Sequence, residues 1–170
     1  MYTPRAVTLA GSVVTIPDGA PGIMSTLRTM RALVRQYRSD PTIRHAAINL
    51  LSLTSPRDSL GEVAALFDFV RDRIRYTGDV LDTETLTTPD KTLALGAGDC
   101  DDKAVLLAAL LESVGYVTRF IVTGYNTPGV FEHVYLAAMI ADGTFVALDP
   151  TECQSPGQEP PEPLIYYTEP

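Results

Sequence analysis

Hydrophobic spacing divides the chain in two. Up to about residue 74 the apolar positions recur at helical intervals, and beyond residue 116 they fall in short β-rich runs. Val7, Leu9, Val13, Val14 and Ile16 read as extended, closed by the turn signal Pro17-Asp18-Gly19. The spacing of Leu27, Met30, Leu33, Val34 and Tyr37 predicts a helix over 21–37. Pro21 suits its first turn, and Ser39-Asp40-Pro41 ends it and opens the next. A second helix is predicted over 41–51, with Ile43, Ala46, Ala47 and Leu50 inward. After the break at Ser55-Pro56-Arg57-Asp58, Leu60, Val63, Ala64, Phe67, Val70 and Ile74 form one apolar face of a third. Residues 76–99 read as a long loop in which only 92–95 is regular, and a loop of that length is often functional. The helix predicted over 100–114 is apolar nearly all round, which places it at the centre, and Gly115 ends it. Strands follow over 117–124, 131–140 and 144–148. The six prolines and four glutamates of 150–170 predict an extended arm or a partly disordered tail that buries little.

Composition narrows the function classes. A chain of 170 residues, 45% hydrophobic and 20% charged, fits one soluble domain. No stretch approaches the roughly 18 apolar residues of a membrane span. The N-terminal apolar run is broken by Gly11, Ser12 and Thr15, unlike a secretory signal, so a cytoplasmic protein is expected. Cys100 and Cys153 are then two thiols in a reducing compartment, and with two histidines they are too few for a zinc ribbon or finger array. The net charge of −8 argues against nucleic-acid binding. Residues 1–75 nevertheless carry a net +4 and residues 76–170 a net −12. Arg28, Arg31, Arg35 and Arg38 line one stripe of the first helix. That stripe is either a solvated face or a surface for an acidic partner, such as the acidic half of a second copy.

The candidate chemistry begins at Gly96-Ala97-Gly98-Asp99-Cys100-Asp101-Asp102-Lys103. Asp99 is placed as an N-cap, with Asp102 its capping-box partner. Cys100 then occupies the first helical position, where the dipole and free N–H groups favour thiolate. Gly96 and Gly98 permit close approach of backbone or substrate. The flanking carboxylates oppose a second negative charge, so a reactive Cys100 needs a cationic partner. His133 is the candidate, because the only other histidine, His45, lies in an early helix. Asp149 would orient the imidazole. Hairpin geometry decides whether it can. With a two-residue turn at Asp142-Gly143, His133 and Asp149 fall on opposite faces of the sheet. With a three-residue loop, 141–143, and Gly143 left-handed, Asp149 faces Tyr135 and becomes a diagonal neighbour of His133, roughly 7–8 Å away at the backbone. The three-residue loop is the prediction. A metal site at Cys100, His133 and Asp149 is the chemical alternative.

Gly98-Asp99-Cys100-Asp101-Asp102, Arg119 on the following strand, Glu132-His133-Val134 and Ala147-Leu148-Asp149-Pro150-Thr151 stand in an order that resembles the transglutaminase-like superfamily. The resemblance covers about residues 60–151, with Ile74-Arg75-Tyr76 matching the helix end before the loop. Thr88-Pro89 ahead of Leu93 is similar to small bacterial and phage-encoded members. The resemblance implies an α+β, papain-like fold. It also implies Cys100 as nucleophile, His133 as base and acid, Asp149 as orienter, and no cofactor or resident metal. A peptide or protein amide is the implied substrate, with water or an amine as acceptor. The papain branch carries a glutamine oxyanion donor before its cysteine, where this chain has Leu93-Ala94-Leu95. The Cys100 backbone N–H remains, and Tyr76 is the second oxyanion candidate.

The expected organisation is one domain over 1–151, with a core at 58–151 and the N-terminal strand and helices 1–57 packed on it. An arm follows at 152–170. The expected function is acyl transfer through a Cys100 thioester, as a cysteine peptidase, amidase or transglutaminase-like enzyme. The alternative is a non-catalytic assembly module that keeps the fold, virion-associated if phage-encoded.

Overall fold

Capping chemistry sets the helix boundaries. Asp40 accepts hydrogen bonds from Thr42 N (2.8 Å) and Ile43 N (3.2 Å), and Pro41 opens α2, Pro41–Leu51. Asp58 accepts from Gly61 N (2.9 Å) at the start of α3, Ser59–Arg73. Asp99 accepts from Asp102 N (3.0 Å) at the start of α5, Cys100–Ser113. Gly115 (φ 102°) closes α5: its N–H reaches Glu112 O, and Tyr116 N reaches Leu111 O. Those paired bonds satisfy the last carbonyls of the helix. The first helix, α1, spans Ala20–Tyr37.

This computed structural model describes residues 5–9, 12–16, 20–78, 84–127, 130–160 and 165–168. The expected turn at Pro17-Asp18-Gly19 lies outside the described residues, as do Glu162 and Glu169 of the arm.

Helix α5 is the axis of the core. Every residue from Ala104 to Leu111 is 0% exposed, as its all-round apolar sequence predicts. It packs on α1, α2, α3, on α4 (Pro89–Leu95), and on the strands β6 (Val117–Gly124) and β7 (His133–Met139). The sheet over it runs β8-β7-β6-β9, all antiparallel, with β8 at Phe145–Leu148 and β9 at Ile165–Thr168. Val134, Leu136, Ala138, Phe120 and Leu148 belong to the main core with α5. Ile121, Tyr135, Ala137 and Ala147 form a second, smaller cluster. Two smaller sheets stand apart: β2 (Ser12–Ile16), β1 (Arg5–Leu9) and β4 (Glu84–Leu86), and the parallel pair β3 (Arg75–Tyr76) with β5 (Ala97–Gly98).

Two expectations need correction. The segment 76–99 is not mainly loop. Thr88 stands at the N-cap position of α4 without a side-chain capping bond, Pro89 occupies the first turn, and Gly96 (φ 61°) stops the helix in the left-handed region. The seven residues between those signals carry too short an apolar pattern to announce a helix. Nor does the proline-rich arm simply hang free. Pro150, Cys153 and Pro160 are buried, Gly157 N donates to Ala147 O (2.8 Å), and β9 pairs with β6. Proline removes backbone donors, but a sheet edge supplies a partner for the few residues that keep theirs.

Candidate active site

The hairpin between β7 and β8 positions the first pair of candidate side chains. Leu136 faces Leu148 and Ala137 faces Ala147, which is the register of the three-residue loop. Ile140 and Thr144 close that loop (2.9 Å), and Gly143 has φ 87°. Asp149, one residue past β8, thus reaches His133 at the start of β7. His133 Nε2 and Asp149 Oδ2 are 2.7 Å apart, with side-chain exposures of 5% and 0%. The other oxygen, Oδ1, accepts from Thr151 N (2.9 Å) and Glu152 N (3.1 Å). The carboxylate is therefore oriented before it meets the ring. Tyr135 stacks on the imidazole from the same strand face, with centroids 6.0 Å apart.

Cys100 arrives from the other side, on the first turn of α5, half-buried. Its Sγ lies 3.4 Å from Asp101 Oδ1, and the Val134 backbone hydrogen-bonds toward the sulfur. Val134 follows His133 directly, so that contact seats the thiol against the strand that bears the imidazole. Cys100, His133 and Tyr76 line one cavity of about 470 Å³. Its apolar wall is Ile23, Leu27 and Met30 of α1 with Val122 of β6, and its charged rim is Asp99, Asp101 and Glu132. Glu132 also ties down the neighbouring loop, accepting from Tyr125 N (2.7 Å), Asn126 N (3.0 Å) and Asn126 Nδ2 (2.9 Å).

Tyr76 comes to this cavity through the β3–β5 pair. Tyr76 is in register with Gly98, and Thr77 N donates to Gly98 O (3.1 Å), two residues before Cys100. Gly98 has its own steric reason. A Cβ there would meet Asp102 Cβ at 2.6 Å, and Asp102 Oδ1 is held by Thr87 N (2.7 Å). A side chain at Gly98 would push against the carboxylate that ties the turn before α4 to the start of α5.

Burial raises the Cys100 thiol well above its ordinary range, and the Asp101 and Asp99 carboxylates add to the rise; the Val134 backbone acts against them. On balance these surroundings disfavour thiolate, so a reactive Cys100 calls for a neighbour that takes its proton. His133 is raised. Its burial acts downward, but the hydrogen bond and charge of Asp149 outweigh that, with Glu152 and Asp101 adding. Cys153 sits 4.0 Å from Asp149 Oδ2, and burial, then Asp149 and Glu152, push its thiol up to about 11, as suits an inert packing residue.

One ligand atom each of His133, Asp149 and Glu152 lies within 4.8 Å of the others, whereas Cys100 joins no such group among the described residues. Asp149 is already filled by the ring and two backbone donors, and the charge of buried Lys103 acts on it. The cluster is accordingly a hydrogen-bonded pair with a neighbour rather than a vacant cation cage. His45 is exposed on α2, away from the cavity. The sequence reading passed over Lys103, Glu152 and the α1 wall. Glu152 is beside Asp149 because the turn that starts there brings its N–H onto Asp149 Oδ1 (3.1 Å).

The arginine stripe divides. Arg31 is an internal anchor: it pairs with Glu112 (2.6 Å), donates to Thr118 O (3.1 Å) and lies 4.8 Å over the Phe120 ring. Arg28, Arg35 and Arg38 stay exposed.

The profile of the transglutaminase-like superfamily matches residues 50–150. No curated protein matches the chain. Among solved structures, a candidate cysteine protease from Cytophaga hutchinsonii superposes with TM-score 0.53 at 22% identity, over 65% of this chain and 37% of that one. A candidate protease from Parabacteroides distasonis gives TM-score 0.58 at 15% identity, over 73% of this chain and 26% of that one. LapG of Legionella pneumophila gives TM-score 0.48 at 18% identity, over 76% and 75%. The chain spans only 37% and 26% of the first two structures, and the shared property is the papain-like α+β fold.

Proposed function

The chain belongs to the transglutaminase-like superfamily, and on that premise we propose that it transfers acyl groups through a thioester at Cys100. The observation that carries the reading is the 2.7 Å His133–Asp149 bond at a cavity that also holds Cys100. His133 takes the thiol proton as Cys100 Sγ attacks the carbonyl carbon of a peptide or amide. As the tetrahedral species collapses, the C–N bond breaks and the same proton passes to the departing amine. The acceptor then attacks the thioester, loses its proton to His133 and releases the thiol. Water is the acceptor we favour, because it outcompetes amines unless a site excludes it. The protease names of two fold neighbours fit a peptide substrate. The Cys100 backbone N–H and the Tyr76 hydroxyl are the oxyanion donors in this reading. With no glutamine before Cys100, a lost donor costs about 10²–10³ in rate.

The acidic collar supports one rival, a module that keeps the fold without catalysis. Asp101 and Asp99 both raise the Cys100 thiol, against what a nucleophile needs. Alkylation by iodoacetamide as a function of pH separates the two. Catalysis requires Cys100 to react below the ordinary thiol range and to lose that reactivity in His133→Ala. A profile indistinguishable from a free thiol, unchanged in His133→Ala, establishes the module instead.

A further inference from the structure

The cavity at Cys100 has two unlike sides. Its volume of about 470 Å³ falls within the roughly 300–1,000 Å³ of ligand pockets. One side is apolar, built from Ile23, Leu27 and Met30 of α1 with Val122 of β6. Thr26 of the same helix turns its hydroxyl back to Gly22 O (3.3 Å). All of α1 precedes residue 50, where the match to the superfamily begins, so this wall is an addition to the matched core. The other side is acidic. Asp99, Asp101 and Glu132 form it, and among the described lining residues there is no lysine or arginine. Asp99 and Asp101 are half-buried, whereas Glu132 is exposed and immediately precedes His133. The three hydrogen bonds to Glu132 all come from neutral donors: Tyr125 N (2.7 Å), Asn126 N (3.0 Å) and Asn126 Nδ2 (2.9 Å). They hold its carboxyl below the usual carboxylate range, the Asn126 side chain most of all. Glu132 is thus a fixed carboxylate at the mouth of the cavity, and its hydrogen bonds leave its charge intact.

We propose that this cavity selects an acyl donor with a cationic side chain, arginine or lysine, beside the carbonyl that Cys100 attacks, and that Glu132 is the specificity-determining residue; the inference rests on the thioester reading above. Lysine and arginine lay their methylene stems along apolar surface and keep the charged head in polar surroundings. The α1 wall offers the first and the carboxylate rim the second, within one cavity. An acidic side chain in the same place would meet three carboxylates and be rejected, which is discrimination by repulsion as well as by attraction. Because Glu132 is already held by three bonds, little ordering is left to be done when the cation arrives. The cation is bound and not consumed, so this role is separate from that of an attacking amine.

The test reads charge selectivity at Cys100 itself. Cys100 is modified with two methanethiosulfonates of similar size, one carrying a trimethylammonium group and one a sulfonate. Mass spectrometry of the Cys100 peptide separates it from Cys153, the only other cysteine. The rate ratio, cationic over anionic, is divided by the same ratio for a small free thiol, which cancels the reagents' own reactivity. A preference for the cation of about tenfold is expected at low salt, falling as salt is added. Glu132→Gln should lower it about threefold. Glutamine suits the test because its oxygen can keep the Tyr125 and Asn126 N–H groups while the Asn126 amide turns over to accept from its NH₂. Asp142→Asn removes the same charge in the loop at the far end of the β7–β8 hairpin and should leave the ratio unchanged. A wild-type ratio equal to that of the free thiol, or an equal fall in Glu132→Gln and Asp142→Asn, overturns the proposal. Where Glu132→Gln does not fold, Asp101→Asn carries the same expectation, since a changed thiolate fraction cancels in the ratio. Peptide amides that differ only in arginine, glutamine or glutamate beside the cleaved bond supply the second arm. Cleavage without preference for arginine overturns the proposal and leaves the thioester reading standing. With the expected thiosulfonate ratios, failure to cleave any of the peptides counts against the thioester reading alone, because modification by the reagents needs no working triad.

Discussion

Replacing Asp149 with asparagine changes one atom and tests the whole arrangement. Oδ1 accepts from two backbone N–H groups, Thr151 and Glu152, so the substituted amide must keep its oxygen there. Its NH₂ then takes the place of Oδ2 and points at His133 Nε2, 2.7 Å away. Two donors cannot share that bond. The ring must leave Nε2 unprotonated and carry its proton on Nδ1, the nitrogen needed to accept from the thiol. Loss of the buried, charge-assisted bond costs about 1.5–3 kcal/mol of stability. Tautomer inversion of this kind lowers turnover about 10⁴-fold in a serine protease triad, and a loss of that order is expected in Cys100 acylation. The pH dependence has a definite sign. The folded value of His133 is raised by Asp149 above its unfolded value of about 6.5. Its contribution to stability is thus fully present below that unfolded value and is lost as pH rises through the folded one. Urea unfolding of the wild type and Asp149→Asn at pH 6 and pH 9, with Cys100 alkylation on the same samples, measures both effects. The penalty is expected to be larger at pH 6. Equal penalties at the two pH values, together with unchanged alkylation, would refute the reasoning.

Other substitutions probe the collar, the cavity lip and the helix anchor. Asp101→Asn removes the carboxylate 3.4 Å from the sulfur, and the Cys100 alkylation rate near neutral pH should rise about tenfold; an unchanged rate means the carboxylate does not govern the thiol. Gly124→Ala places a Cβ 2.0 Å from Val130 O, so the 130–131 backbone at the cavity must move. Thermal unfolding should show about 1–3 kcal/mol of lost stability, and a wild-type melting curve contradicts that contact. Arg31→Met removes the shortest partner of Glu112, whose side chain is only 10% exposed, but leaves it the Thr118 hydroxyl (2.7 Å) and Arg38 (3.7 Å), so the expected loss in denaturant unfolding is about 1.5–3 kcal/mol. Arg35→Met on the exposed part of the same stripe should stay within about 0.5 kcal/mol.

Some of the site was readable one residue at a time. Asp99 as a cap, Cys100 on the first turn and Gly115 as the stop are local decisions, and they stand as the sequence predicts. The His133–Asp149 adjacency was readable because a hairpin has few registers and only one puts both on the same face. Helix α4 was missed because seven residues carry too little periodicity. The strand β9 was missed because its pairing partner is supplied by β6 from forty residues away, not by its own composition.

The linear order of residues alone therefore determined helices α1, α2, α3 and α5, the hairpin register and the identity of three candidate side chains, since each depends on backbone sterics and hydrogen bonding within a few residues. Tertiary structure decided what surrounds them. It brought Tyr76 to the cavity through the parallel β3–β5 pair and turned Arg31 inward onto Glu112. Those placements arise because burial removes water from charges that must then find each other, and which charges meet depends on how α1, α3 and the 150–158 turn close over α5.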